Sequence, residues 1–202
     1  MSALDLLKRA SDLVPVHLPV NDAFTSIVPG LRPGTMLGVT GTGATSLALA
    51  LVARASTDSF TVVAGLPSLN LVAASELGVA IDRVVVVPEA TIDVLAAVVD
   101  AFDLVVARPQ LGARDVRNLR ARIRERDAVL ISIGNTTEVD MHLQATDAQW
   151  HGLDDGHGYL RARKLTVAAT VHGQTKRTTL WLPDDEGGVS VATDVIRLRR
   201  TG

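Results

Sequence analysis

Gly38-x-x-x-x-Gly43-Ala44-Thr45 is the stretch of this chain whose residue types and spacing suit chemistry. A short apolar run (Met36, Leu37, Val39) leads into a turn holding Gly41 and Gly43, and the turn opens into Thr45-Ser46-Leu47-Ala48-Leu49-Ala50-Leu51. Glycines so placed let successive backbone N–H groups face inward as an anion nest at a helix N-terminus. A phosphate-binding loop of this pattern adds a lysine for the outer phosphates and a Ser or Thr hydroxyl for magnesium. Here Thr45 is present, but Ala44 stands at the lysine position. Losing one charge-assisted hydrogen bond weakens binding by roughly 1.5–3 kcal/mol, about ten- to a hundred-fold in affinity. Phosphoryl transfer suffers more, because charge stabilisation on the moving group is most of that catalysis. The same glycines equally suit a plain tight turn between strand and helix, with no ligand.

A second cluster is cationic. At 100° per residue, Arg114, Arg117, Arg120 and Arg124 share one arc of a helix predicted over Ala113–Arg126, opposite an apolar stripe of Val116, Leu119 and Ile123. The arc is either a solvated face, partly neutralised by Asp115 and Glu125, or a ledge for DNA phosphates or an acidic partner segment. It carries no aromatic residue, so DNA contact there would be blind to sequence. The tail Val195–Gly202 alternates apolar residues with Arg197, Arg199 and Arg200, a pattern able to add to a partner's strand or helix. His151, His157, Asp154 and Asp155 lack regular ligand spacing, and hairpin turns recruit Asp, Gly and His for backbone reasons, so no metal site is assigned. Trp150 and Tyr159 flank that turn as packing anchors, and Trp181 reads as core. With no cysteine and no nucleophile elbow, covalent catalysis has no candidate.

The elements that must position these residues follow from composition and periodicity. The chain has 202 residues, 47% hydrophobic but only 3% aromatic, so its core must be aliphatic, which suits a buried parallel sheet covered by helices. A net charge of −2 argues against a general nucleic-acid binder. No apolar run approaches the length of a membrane span, and MSALDLLKRASDL reads as neither signal nor transit peptide; the expectation is a cytoplasmic chain, with nucleoid association left open. A helix is predicted over Ala3–Leu13, then a proline-rich connector from Pro15 to Pro33. Strands are expected at Met36–Val39, Phe60–Ala64, Arg83–Val87, Leu104–Ala107 and Ala128–Ile133. They alternate with helices at Thr45–Ala55, Leu69–Leu77, Ile92–Phe102 and Ala113–Arg126, the rhythm of a parallel α/β sheet. After Gly134 the pattern turns to antiparallel hairpins, with strands at Met141–Gln144, Leu160–Val171, Thr178–Leu182 and Val189–Ala192. The organisation expected is residues 1–30 as helix and connector, 31–192 as one domain (31–136 parallel core, 137–192 antiparallel extension), and 193–202 as a basic tail.

The loop, the order of elements and the terminal hairpins together resemble the RecA/RAD51 ATPase core through most of Leu31–Leu182. The lead-in Leu31-Arg32-Pro33-Gly34 and the segment Glu76-Leu77-Gly78-Val79-Ala80-Ile81-Asp82 both resemble recombinase runs. More narrowly, the chain is similar to the ImuA group, shortened RecA-like proteins of bacterial mutagenesis cassettes, and within it to the actinobacterial branch called ImuA-prime. Thr45–Leu51 and Trp150–Arg161 carry that narrower likeness. The resemblance implies an α/β fold: a RecA-like P-loop core with a mostly parallel central sheet flanked by helices, extended by C-terminal antiparallel hairpins. It also implies where ATPase residues should fall, and each position holds something else. The lysine position is Ala44, the magnesium carboxylate falls on Arg108, and the general-base glutamate falls near Leu66. The two segments matching DNA-binding loops, about Pro109–Ala113 and Asn135–Asp140, are short.

What the resemblance implies is a catalytically inactive adaptor in DNA damage tolerance, serving SOS-type mutagenic translesion synthesis without cofactor or metal. Its implied partner is an ImuB-like inactive Y-family polymerase homologue, and through it an error-prone C-family DNA polymerase; DNA contact would be nonspecific, and no membrane is involved. Two alternatives stay open: a nucleotide-sensing switch that does not hydrolyse, and a nonspecific DNA-binding recombination mediator.

Overall fold

Runs of four or five aliphatic residues, each followed by a helix-length spacer, bury both strand faces only in a parallel sheet with helices above and below. The computed structural model describes residues 17–154 and 157–192, and the side chains of all of these except 153, 154, 157 and 158. The expected helix Ala3–Leu13 and the tail Val195–Gly202, with Arg197, Arg199 and Arg200, lie outside the described residues.

The strands are β1 (Thr35–Gly41), β2 (Thr61–Ala64), β3 (Val84–Val87), β4 (Leu104–Ala107), β5 (Val129–Ile133), β6 (Met141–Asp154), β7 (His157–Val171), β8 (Gln174–Trp181) and β9 (Ser190–Val191). They form one sheet in the order β3-β2-β4-β5-β1-β6-β7-β8-β9. Pairing is parallel from β3 through β1 to β6 and antiparallel from β6 to β9. The helices are α1 (Ala44–Ser56), α2 (Leu71–Glu76), α3 (Ile92–Ala101) and α4 (Ala113–Arg126).

Two apolar layers clothe the sheet. On one face α1 packs against Val39, Val63, Val106 and Ile131, and the layer continues to Leu143, Leu165 and Val167 of the antiparallel strands. Leu47 through Ala53 of α1 are all buried, as expected of a helix apolar on every side. On the other face Leu95, Val98 and Val99 of α3 and Val116, Leu119 and Ile123 of α4 cover Met36, Val62, Val105 and Leu130. The apolar stripe of α4 therefore points inward as its periodicity predicts.

Two segments do more than the sequence suggests. The strand beginning at Met141 pairs antiparallel with β7 from His142 on, as expected, but it is longer, and on its other edge its first five residues pair parallel to β1, Leu37↔Met141 through Gly41↔Ala145. β6 thus satisfies the N–H and C=O groups on the edge of β1 away from β5 while forming the hairpin with β7. The proline-rich connector also packs into the core. Phe24, Val28 and Leu31 are fully buried in the core, and Leu18 exchanges backbone hydrogen bonds with Leu31 at 2.8 and 2.9 Å. Its prolines bend the chain, but its apolar residues belong inside.

Candidate functional site

Parallel strands present their C-terminal ends on one edge of a sheet, and α/β proteins bind ligands there. Here the ends of β1, β2, β4 and β5 are followed by Thr42, Gly65, Arg108 and Gly134, and these segments meet around two cavities. One, of about 340 Å3, is lined by Thr40, Gly41, Gly43, Ala44, Thr45 and Arg108, with Ile133 to Asn135. The other, of about 430 Å3, shares Thr45 and Arg108 and adds Leu66. The folded chain therefore brings together Gly41, Gly43, Ala44, Thr45, Leu66 and Arg108, which lie apart in the sequence.

Gly38 is the exception and a correction. It sits within β1, paired with Ser132 on one side and His142 on the other, so it belongs to the strand and not to the loop. Because β6 keeps β1 extended as far as Gly41, only Thr42 and Gly43 separate strand from helix. The turn is tighter than the eight-residue pattern suggests.

Both loop glycines are required by the chain's own walls. Gly41 has φ of +92°, and a Cβ there would lie 2.0 Å from the Ala145 carbonyl oxygen of β6. Gly43 has φ of +79°, and its Cβ would meet the Arg163 guanidinium at 2.6 Å. Close approach of neighbouring strands thus accounts for these glycines without a ligand. The helix end remains open nonetheless. Gly43 offers no side-chain cap, and the first intrahelical bond runs from the Leu47 N–H to the Gly43 carbonyl at 2.9 Å. The N–H groups of Ala44, Thr45 and Ser46 have no acceptor within the helix.

Arg108 is exposed, and its Nη2 donates to the Thr45 hydroxyl oxygen at 2.8 Å. That hydroxyl is the group that would face magnesium in a phosphate loop. A magnesium-bound nucleotide does not fit these residues, since a guanidinium holds the metal's place and no carboxylate lines either cavity. Leu66 is 7% exposed and cannot orient or deprotonate a water.

Arg163, one of three basic residues in Arg161-Ala162-Arg163-Lys164, lies beneath the loop and is 7% exposed. Its guanidinium packs between Gly43 and the Trp150 ring, whose centroid is 5.2 Å from Cζ, and its Nε donates to the Leu182 carbonyl at 2.8 Å. Nη2 is buried and has no hydrogen-bond partner, and burial lowers the pKa of the group. The signal was present: β7 alternates inward, and Arg163 shares the parity of buried Leu165, Val167 and Ala169.

The arginine arc is largely neutralised by the chain itself. Arg117 meets Glu138 at 3.3 Å, and Arg120 and Arg124 reach Asp140 Oδ1 at 2.7 and 3.3 Å. Off that arc, Arg122 and Arg126 share Asp100. Arg114 alone of the four on the arc has no ion pair among the described residues. Burial would raise the Asp140 carboxyl, but the Met36 N–H donating to it and the Arg120 guanidinium outweigh that and leave it lowered. Asp100, bonded first to Arg122, falls to about 2. His151 packs edge-on against Trp181, ring centroids 4.8 Å apart, and the side chains of Asp154, Asp155 and His157 lie outside the described residues.

A family model described as the MT3502 N-terminal domain matches residues 26–138. Rv3395c of Mycobacterium tuberculosis (strain ATCC 25618 / H37Rv), described as uncharacterised, is 34% identical over 149 residues, or 72% of this chain. The match spans 62% of that protein's length. Among solved structures, the crystal structure of the RadB recombinase superposes with a TM-score of 0.61 over 85% of this chain and 97% of its own, at 14% identity. At that identity the likeness speaks for the fold, which is RecA-like.

Proposed function

The chain belongs to the MT3502 N-terminal domain family, and from that premise we propose that it is a RecA-fold adaptor that has no nucleotide hydrolysis of its own. The observation that carries the reading is the seat of Arg108 on Thr45: a guanidinium donates to the hydroxyl that would otherwise hold a metal. Ala44 supplies no ammonium to the outer phosphates and Leu66 no base, so three roles of different chemistry are missing from one site. A RecA-like scaffold without hydrolysis acts by what it binds.

An open edge supports the binding role. β3 closes one end of the sheet, and Phe60, Ile81, Val85 and Val86 on and beside it are 53%, 46%, 37% and 42% exposed. An uncovered edge strand with apolar side chains is a surface that an incoming strand or helix would cover. By the resemblance given above, the partner is an ImuB-like inactive Y-family polymerase homologue, which would couple this chain to an error-prone C-family polymerase in mutagenic translesion synthesis. Copurification with that homologue tests the proposal. Capture that fails under co-expression, or ATP turnover abolished by Thr45→Ala, would overturn it.

One observation favours a second reading, a switch that senses nucleotide without hydrolysing it: the N–H groups at the start of α1 are open toward the smaller cavity. The ion pairs of Arg117, Arg120 and Arg124 leave little free charge to favour a DNA-binding recombination mediator.

A further inference from the structure

Aromatic residues are scarce in this chain, yet its one tyrosine and one of its two tryptophans stand exposed on the β6–β7 hairpin. Trp150 is 47% exposed although Arg163 lies over its ring, and Tyr159 and Leu160 are 79% and 52% exposed. The hairpin's register shifts between His151 and Leu153, and a Cβ at Gly152, whose φ is +117°, would lie 2.2 Å from the Tyr159 carbonyl oxygen. An irregularity of this kind re-aims side chains away from the ladder.

Beside these residues lies a cleft of about 400 Å3, lined by Trp150 and Leu160 of the hairpin, by the turn Pro183–Gly187 and by Glu76, the last residue of α2. The turn packs on the end of α2, since a Cβ at Gly187 would lie 3.4 Å from the Glu76 Cβ. Asp184 Oδ1 holds the turn by accepting from the N–H groups of Glu186 and Gly188, each at 3.0 Å. Four carboxylates, those of Glu76, Asp184, Asp185 and Glu186, share the cleft with one cation, Arg161. None of these five side chains makes an ion pair among the described residues. The carbonyl end of α2 adds to the negative potential. An uncovered apolar cluster rimmed by unpaired charge of one sign is a surface that gains from a partner of the opposite sign.

We propose that this cleft is a second docking surface, for a segment of another protein that carries arginine or lysine side chains beside apolar ones. Its apolar residues cover Trp150, Tyr159 and Leu160, and its cations pair with Glu76, Asp185 and Glu186. Charge complementarity selects such a segment over nucleic acid, whose phosphates the carboxylates repel. The hairpin and β3 lie on opposite sides of β1 in the sheet. The inference therefore goes beyond the adaptor reading and does not depend on what covers the β3 edge.

Two octapeptides, one alternating leucine with arginine and the other leucine with glutamate, test this by calorimetric titration into the full chain. Tryptophan emission of a Trp181→Phe variant, in which Trp150 is the sole tryptophan, locates the binding. The leucine–arginine peptide should bind and shift the emission to the blue as Trp150 leaves water, and the leucine–glutamate peptide should do neither. Salt near 1 M, which screens charges beyond about 3 Å, should weaken the binding. Asp185 and Glu186 are exposed, and reversing both to lysine should weaken it about tenfold or more. Leu160→Ser should cost about fivefold. Asp58→Lys, exposed in the turn after α1, should change nothing. Equal affinity in the Asp185/Glu186 double reversal, no peptide binding at millimolar concentration, or a Trp150 shift produced by single-stranded DNA would each overturn the proposal. Emission already blue without peptide and red after deletion of residues 193–202 would give the cleft to the chain's own basic tail, and a blue shift on raising protein concentration would give it to a second copy. Either result would overturn a foreign occupant. The β3 edge takes no part in the experiment, so its failure leaves the adaptor reading standing, and failed copurification with a polymerase homologue leaves this one.

Discussion

Replacing Asp140 decides whether the arginines of α4 are struts or a ledge. Asp140 precedes β6 and ties three elements together. Its Oδ2 accepts from the Met36 N–H of β1 at 2.9 Å, and its Oδ1 accepts from Arg120 at 2.7 Å and Arg124 at 3.3 Å on α4. Met36 is fully buried, so Asp140→Ala leaves an orphaned donor, a loss of about 1–3 kcal/mol. The Arg120 pair adds to this, but its side chains are 21% and 28% exposed, so solvent screening holds its share to about 1 kcal/mol. The sum is about 2–4 kcal/mol, or about 4–16 °C in melting temperature for a chain of this size. Asp140→Asn keeps an acceptor for Met36 and should lose about half as much. Glu138→Ala removes only the exposed Arg117 pair and should change stability by less than about 0.5 kcal/mol. Urea unfolding of the three variants measures all of this. If Asp140→Ala proved as stable as Glu138→Ala, while single-stranded DNA binding rose through the released Arg120 and Arg124, the arc would be a binding ledge and this account would fail.

Gly41→Ala should be far more damaging than Gly173→Ala. Both glycines have positive φ, +92° and +78°, but a Cβ at 41 meets backbone at 2.0 Å while one at 173 meets nothing within 4 Å. Urea midpoints should report about 1 kcal/mol lost at 173 and about 3 kcal/mol or more at 41; equal losses would mean that β6 does not press on the turn. In acid, Asp100 and Asp140 both carry depressed carboxyl pKa values, so the stability they lend is full above the ordinary value of 3.8 and disappears as pH falls through the lowered one, about 2 for Asp100. Circular dichroism should therefore show a steep stability loss between pH 4 and 2, shallower in Asp100→Asn; an unchanged slope in that variant would remove its ion pairs from the account.

The parallel core was legible because its signals are local. Aliphatic runs such as Leu104–Ala107 and Val129–Ile133, and the stripe Val116, Leu119 and Ile123, carry their burial in their own periodicity. Ala44, Leu66 and Arg108 are likewise read one position at a time, and the fold gathers them around the turn after β1. What stayed hidden depends on pairings between distant segments. Gly38 reads as a loop glycine until β6 is seen lying along β1 and holding it extended. Asp140 reads as the last residue of a short loop until it is seen under the Met36 N–H. Arg163 looks like one more surface cation in Arg161-Ala162-Arg163-Lys164, and only the inward parity of β7 marks it as buried.

Strand order explains why the turn after β1 sits between two arginines. In the sequence β3-β2-β4-β5-β1-β6-β7, β4 lies two strands from β1 on one side and β7 two strands away on the other. Arg108 follows the last residue of β4 and Arg163 lies within β7, so each can extend across one intervening strand to the turn after β1. Trp150, opposite Arg163 in the β6–β7 register, covers the buried guanidinium from the far side. The hairpin is thereby joined to the turn through a stack of indole, guanidinium and glycine. An aliphatic side chain at 163 would fill the same space without bringing a buried cation with no counter-ion, which is unfavourable unless something nearby is negative. None of the described carboxylates plays that part, and the guanidinium is held instead by the Leu182 carbonyl and the Trp150 ring.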